Sequence, residues 1–226
     1  MEASVVEWCE AYTHPYTYSN YIAEITNTFS NLAFTIVSLV SIYEFNHPLF
    51  RKCNAVLFIV GVGSAVFHAT DTYLGQVLDE LPMSILTYYY ISIACHIKRW
   101  RFPRIIYISL VTFGWSLYLT LRVYTIFLSV FVIQLLIPIV ILVFYIQKTN
   151  QQKRLLTYSL IMAVFAKSSW IYERYLHATF HCPTTLTDPA YYLHSYWHIG
   201  IAIAHYLLLK TMFVNRAHEP LISNQI

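Results

Sequence analysis

The chain has 226 residues, of which 58% are hydrophobic and only 11% charged, whereas a soluble domain carries about 25% charged residues. Apolar residues fall in blocks of roughly twenty, the length that crosses a bilayer core, which excludes an ordinary water-soluble fold. The net charge of +3 says little by itself, and no nucleic-acid partner is expected.

Taken in chain order, the first twenty residues are polar and acidic, with neither a basic nor an apolar signal region, so insertion is expected to fall to the first span. Seven apolar segments follow, at roughly 21–43, 52–69, 76–97, 104–121, 124–146, 155–176 and 192–213. They do not alternate with period two, which argues against a barrel. The fold class expected is all-α, a polytopic seven-transmembrane helix bundle. Pro82 and Pro138 lie inside the third and fifth segments and imply kinks rather than ends. The expected organisation is an N-terminal segment over 1–20, the bundle over 21–213 and a tail over 214–226.

Basic residues set the orientation. Arg51 and Lys52, then Lys98, Arg99, Arg101 and Arg104, then Lys148, Lys153 and Arg154, and finally Lys210 and Arg216 place 11 of 14 Lys and Arg on one side. That side is expected to be cytosolic. The opposite, lumenal side carries Glu2, Glu7, Glu10, Asp71 and Asp188. The N-terminus is then lumenal or extracellular and the C-terminus cytosolic.

His68 closes the second segment, in Gly63-Ser64-Ala-Val-Phe67-His68, and Asp79 opens the third, in Asp79-Glu80-Leu-Pro-Met83. His194 and His198 open the seventh, spaced i, i+4 on one helical face. The topology puts these groups at one depth, near the non-cytosolic face. Ionisable side chains in a span are costly and are functional candidates by default. A lone His in a span is more often a helix–helix hydrogen-bonding group; two on one face with a third at matching depth reverse that balance.

Three His with an open position are the ligand set of a catalytic zinc. His68, His194 and His198 are therefore expected to bind Zn²⁺ and lower the pKa of a bound water, making it the nucleophile. Asp79 is placed to accept its proton and return it to a leaving amine, and Ser64 to donate a hydrogen bond to the oxyanion. The bland readings are a small residue at a helix contact for Ser64 and a helix-dipole acid for Asp79. His205 is read as structural. Lys167, mid-way along the sixth segment, is expected to pair with an acid or line a wet cavity; the sequence names no partner.

At these residues the chain resembles the alkaline ceramidases, seven-span enzymes within a wider metal-dependent membrane hydrolase superfamily. The matching stretches are Glu7-Trp8-Cys9-Glu10, Tyr21-Ile-Ala-Glu24 through Asn27 to Asn31, Gly63 to His68, Gln76 to Met83, and His194 to His198. The resemblance covers nearly the whole chain. It implies hydrolysis of the ceramide amide to a sphingoid base and a fatty acid, with zinc on His68, His194 and His198 and with Ser64 and Asp79 catalytic.

It further implies a Ca²⁺ site at Glu7, Trp8 (through its carbonyl), Glu10, Tyr12 and Glu24, which EGTA would perturb. The sequence departs from the family there: Glu7 stands for Asp, Tyr12 for Asn, and the spacer before Glu24 is longer. The family joins its Trp-Cys-Glu cysteine to one after the sixth span, here implying a disulfide between Cys9 and Cys182, while Cys53 and Cys95 stay reduced. Endoplasmic reticulum or Golgi membranes are the implied location, and no obligate protein partner is inferred. The competing readings are a related membrane lipid hydrolase and a seven-span receptor without chemistry.

Overall fold

The computed structural model describes residues 2–13, 19–146 and 148–216; within the expected tail over 214–226, everything beyond Arg216 lies outside them. Among the described residues the chain is helical apart from one isolated bridge, between Ala3 and Thr72. A short helix α1 (Cys9–Thr13) precedes α2 (Ile25–Ser30) and α3 (Leu32–Glu44). Then come α4 (Pro48–Thr70), α5 (Tyr73–Lys98), α6 (Arg104–Leu121), α7 (Tyr124–Val140), α8 (Asn150–Ala178) and α9 (Leu193–Arg216).

Local chemistry sets several of these ends. Pro48 enters α4 at a position that needs no N–H donor, and the His47 side chain accepts from the Leu49 amide. Thr72 caps α5 by accepting from Gly75 N, and Thr149 with Gln152 forms a reciprocal capping box on α8. The helix α5 runs on through Pro82. In α7, Pro138 is followed by a π-helical turn at Ile141–Tyr145, a wider winding that suits backbone freed by a proline.

Six helical stretches are long and apolar enough to cross a membrane: Ile25–Glu44, Pro48–Thr70, Arg104–Leu121, Tyr124–Tyr145, Asn150–Ala178 and Pro189–Val214. The remaining expected segment, the third, is α5; it has 26 residues, but with Gln76, Asp79 and Glu80 in its first third it is not among these six. Broad apolar faces of the bundle are bare, as lipid-facing surfaces must be: Leu110 is 66% exposed, Phe113 63% and Val164 66%.

The first segment differs from its expected outline. Residues 21–24 are not helical; Ala23 N donates to Ala69 O at 2.9 Å and Glu24 N to His68 O at 3.0 Å, so this stretch runs along the end of α4. A break at Asn31 then divides α2 from α3. The N-terminal residues are tied to the same place: Tyr73 N donates to Glu2 O, Ser4 N to Asp71 O, and Val5 N to the Gln76 side chain.

Two glycines allow close helix approaches beside the site. A Cβ at Gly63 would lie 2.1 Å from the Leu78 carbonyl oxygen, and one at Gly200 would lie 2.8 Å from Ala166 Cβ. The first draws α4 against α5, the second α9 against α8. A core of Phe45, Phe50, Leu57, Ile91, Ile93, Leu142, Leu209 and Met212 fills the opposite half of the bundle.

Cys9 and Cys182 form a disulfide, as the resemblance implied, and Cys53 and Cys95 are free and buried. The bridge spans 173 residues and fastens α1 to the segment after α8. Replacing Cys9 with Ser should lower stability by about 2–5 kcal/mol; thermal unfolding in detergent measures it, and the wild-type protein under reductant should show the same loss.

Candidate metal centre and active site

Two helices deliver the three expected histidines to one point. His68 comes from the last turn of α4, and His194 and His198 from the first two turns of α9. Their ring centroids lie 4.6–5.0 Å apart, and one nitrogen from each falls within 4.8 Å of the others. All three side chains are buried.

What the other ring nitrogens touch decides how the cluster works. His68 Nδ1 meets the Glu24 carboxylate at 2.9 Å and His194 Nδ1 meets the Glu173 carboxylate at 2.8 Å. Carboxylates only accept, so each Nδ1 must carry the proton. His198 Nδ1 lies 2.7 Å from Ser30 Oγ. Ser30 gives its own proton to the Asn27 carbonyl, and so it accepts from His198.

Each imidazole therefore presents Nε2 as a bare electron pair. Nε2 of His68 is buried without any hydrogen-bond partner. Buried polar atoms are rarely left so, and a nitrogen orphaned beside two like it suits a cation. This is how histidine ligands are oriented: one nitrogen on the metal, the other anchored on an oxygen. The donor set fits zinc.

Around the cluster, Trp8 covers His194, with ring centroids 4.0 Å apart. The Gly63 contact puts Ser64, the next residue, beside Asp79, which follows Leu78. The Ser64 hydroxyl comes within reach of the Asp79 carboxylate. Ser64, Asp79, His194 and His198 open onto one elongated cavity, walled mainly by Phe34, Leu57, Met83, Phe127, Leu135 and Ile201. A polar reactive end on an apolar channel suits an amphiphile.

A family model described as Ceramidase matches residues 1–222. The chain belongs to the ceramidase family. It is 30% identical over 92% of its length to the Alkaline ceramidase of Drosophila melanogaster, covering 75% of that protein. To Alkaline ceramidase 1 of Mus musculus it is 32% identical over 89% of its length, covering 76%. Its similarity to the putative alkaline ceramidase dcd3A of Dictyostelium discoideum is higher, at 42%, but confined to 34% of the chain.

The five residues that the ceramidase resemblance implied for calcium make the following contacts. Glu7 faces outward toward His177 at 3.4 Å, and its carbonyl accepts from Arg174. The Trp8 carbonyl is taken by Tyr12 N. The Glu10 carboxylate accepts from Thr26 N, Thr26 Oγ1 and Asn27 N at 2.7–3.0 Å. Tyr12 packs its ring on His177 and Phe180, and Glu24 turns to His68 and Asn27. Both of those Glu24 bonds use Oε2, and its Oε1 is buried without a hydrogen-bond partner; no step is derived through calcium.

Sequence reasoning missed Glu173 and Ser30. Glu173 had a readable signal, being an acid inside an apolar segment; Ser30 had none, since a serine in a span is common. His205 is structural as expected: it bonds Tyr90 and the Asn54 side chain. Glu173→Gln and Ser30→Ala should each weaken metal retention by about 10–100-fold, read by titrating the purified protein with a competing chelator.

Proposed function

We propose that this chain is a membrane-embedded amide hydrolase that cleaves ceramide to a sphingoid base and a free fatty acid. His68, His194 and His198 would hold a zinc ion, and Ser64 and Asp79 would act on the reacting atoms. The observation that carries the reading is the convergence of three imidazoles, each anchored through Nδ1, at the polar end of an apolar cavity. The family membership and the names of its relatives support the choice of substrate.

Zinc held there would polarise water and the amide carbonyl, as Lewis acids do. The remaining work falls to the chain. Asp79, on the cavity wall, takes the proton released as water oxygen bonds to the carbonyl carbon. It then returns that proton to the amide nitrogen as the C–N bond breaks, so the amine leaves neutral. Ser64 turns its hydroxyl from Asp79 toward the carbonyl oxygen, which gains charge during attack. The apolar walls hold the two alkyl chains and keep bulk water out, which strengthens each of these interactions.

In this reading α5 is also a membrane span, giving seven with the N-terminus lumenal and the C-terminus cytosolic, in endoplasmic reticulum or Golgi membranes. The charge asymmetry of the loops supports that orientation. The polar start of α5 is sheltered by the N-terminal segment and α4.

Detergent-solubilised protein incubated with a panel of labelled ceramides should release fatty acid, and a zinc chelator should abolish the release. Asp79→Asn should lower kcat by about 10²–10⁴-fold, and Ser64→Ala by about 10²–10³-fold. Elemental analysis should find one zinc per chain in the wild-type protein and little in His68→Ala; a folded wild-type protein free of zinc would refute the metal assignment.

A further inference from the structure

Lys167 lies inside α8 and lines the same cavity as His194, His198 and Asp79. It stands six residues before Glu173, about 9 Å along the helix axis. Its ammonium folds back toward the metal cluster. Nζ sits 3.3 Å from the centroid of the Trp170 ring and 5.6 Å from that of Trp197. Trp170 in turn lies 6.0 Å from Trp8, the ring that covers His194. The cation is thus placed just below the reactive end of the cavity.

It has no acid to balance it. Among the described residues, Lys167 makes neither an ion pair nor a hydrogen bond; its partners are the two indole faces. A lysine at mid-membrane is costly, and an indole face offsets only part of that cost. An ammonium also has three N–H donors and no acceptor. The rings engage part of this capacity, and the rest faces a cavity whose lining is mostly apolar.

A group that completes this site must bring an oxygen acceptor. Its depth restricts which one. Lys167 is eleven residues from the nearer end of α8, about 16 Å along the axis, too deep for a phosphate headgroup held at the bilayer surface. In the proposed substrate the amide carbonyl belongs at the histidines. The other acceptors that reach this depth are hydroxyls carried on the two chains beside the amide.

We propose that Lys167 is a specificity-determining residue that donates a hydrogen bond to a hydroxyl oxygen on the lipid, one helical turn below the metal cluster. This rests on the amide-hydrolase reading. It predicts selection for lipids hydroxylated next to the scissile amide, on either the acyl chain or the sphingoid base. A site built to hydrogen-bond a hydroxyl discriminates sharply against an analogue without one, because its polar group is then left unpaired.

The test uses lipid pairs matched in length and differing by one hydroxyl, one pair modified on the acyl chain and one on the base. For each pair, binding to the full-length protein is measured by lipid-dependent thermal shift, and hydrolysis by fatty-acid release. The wild-type protein should favour the hydroxylated member of at least one pair by tenfold or more, and the pair affected identifies which chain carries the oxygen. In Lys167→Met, of similar length but without donors, that ratio should fall to within twofold, while Lys167→Arg should restore most of it.

Equal discrimination by wild type and Lys167→Met in every pair, or no preference in the wild type, overturns the inference. Hydrolysis with unchanged ratios leaves the amide-hydrolase reading standing without it. A binding preference that vanishes in Lys167→Met without hydrolysis of any lipid would support the hydroxyl contact and refute the reaction.

Discussion

Two buried carboxylates, Glu24 and Glu173, each meet the Nδ1 of a histidine from another helix, and the upper architecture of the bundle depends on those contacts. An acid buried among apolar helices is costly unless its charge is matched and its oxygens are bonded. Here the imidazoles supply part of the match, and Asn27 and the Cys9 amide add hydrogen bonds. The benefit runs both ways, since a ring held at Nδ1 can neither flip nor change tautomer. The ligand atoms are thus aimed before any cation arrives.

That constraint explains why the N-terminal segment is part of the site rather than an appendage. Glu24 reaches His68 because residues 23 and 24 bond along the end of α4. Glu173 receives the Cys9 amide, and Cys9 is covalently tied to Cys182. Glu10, in the same short helix, accepts from the first amides of α2. Asn27 then links α2 to α9 by accepting from the Ser195 hydroxyl. One network therefore joins the covering Trp8, the first helices and both halves of the histidine cluster.

Below that layer the chemistry changes abruptly. The reactive polar groups that face the cavity gather near the histidines, while most of the remaining lining is aliphatic and aromatic. The closest approach of α4 to α5, at Gly63, is what sets Ser64 against Asp79, because any side chain at 63 would push the Leu78 carbonyl away. Lys167 is a charged residue on the cavity wall, held on tryptophan faces where an acid would ordinarily be expected. A lipid amide has the complementary division, with one polar linkage and long hydrocarbon arms.

Much of this was legible in the residues alone. The apolar blocks, the Lys and Arg asymmetry and the i, i+4 pair His194 and His198 follow from periods and distances within a single helix, which any sequence displays. The histidine cluster with Asp79 was also legible, because topology brings the end of one segment and the starts of two others to similar depth. The partners of those histidines were not. Glu173 and Ser30, the break at Asn31, the contacts of the N-terminal acids and the seating of Lys167 on two indoles all depend on contacts between helices. Those contacts are decided by the rotation and height at which neighbours pack, and a slip of one residue turns a helix by about 100°. Spacing along the chain fixes which side chains share a face; only the packed bundle decides what that face meets.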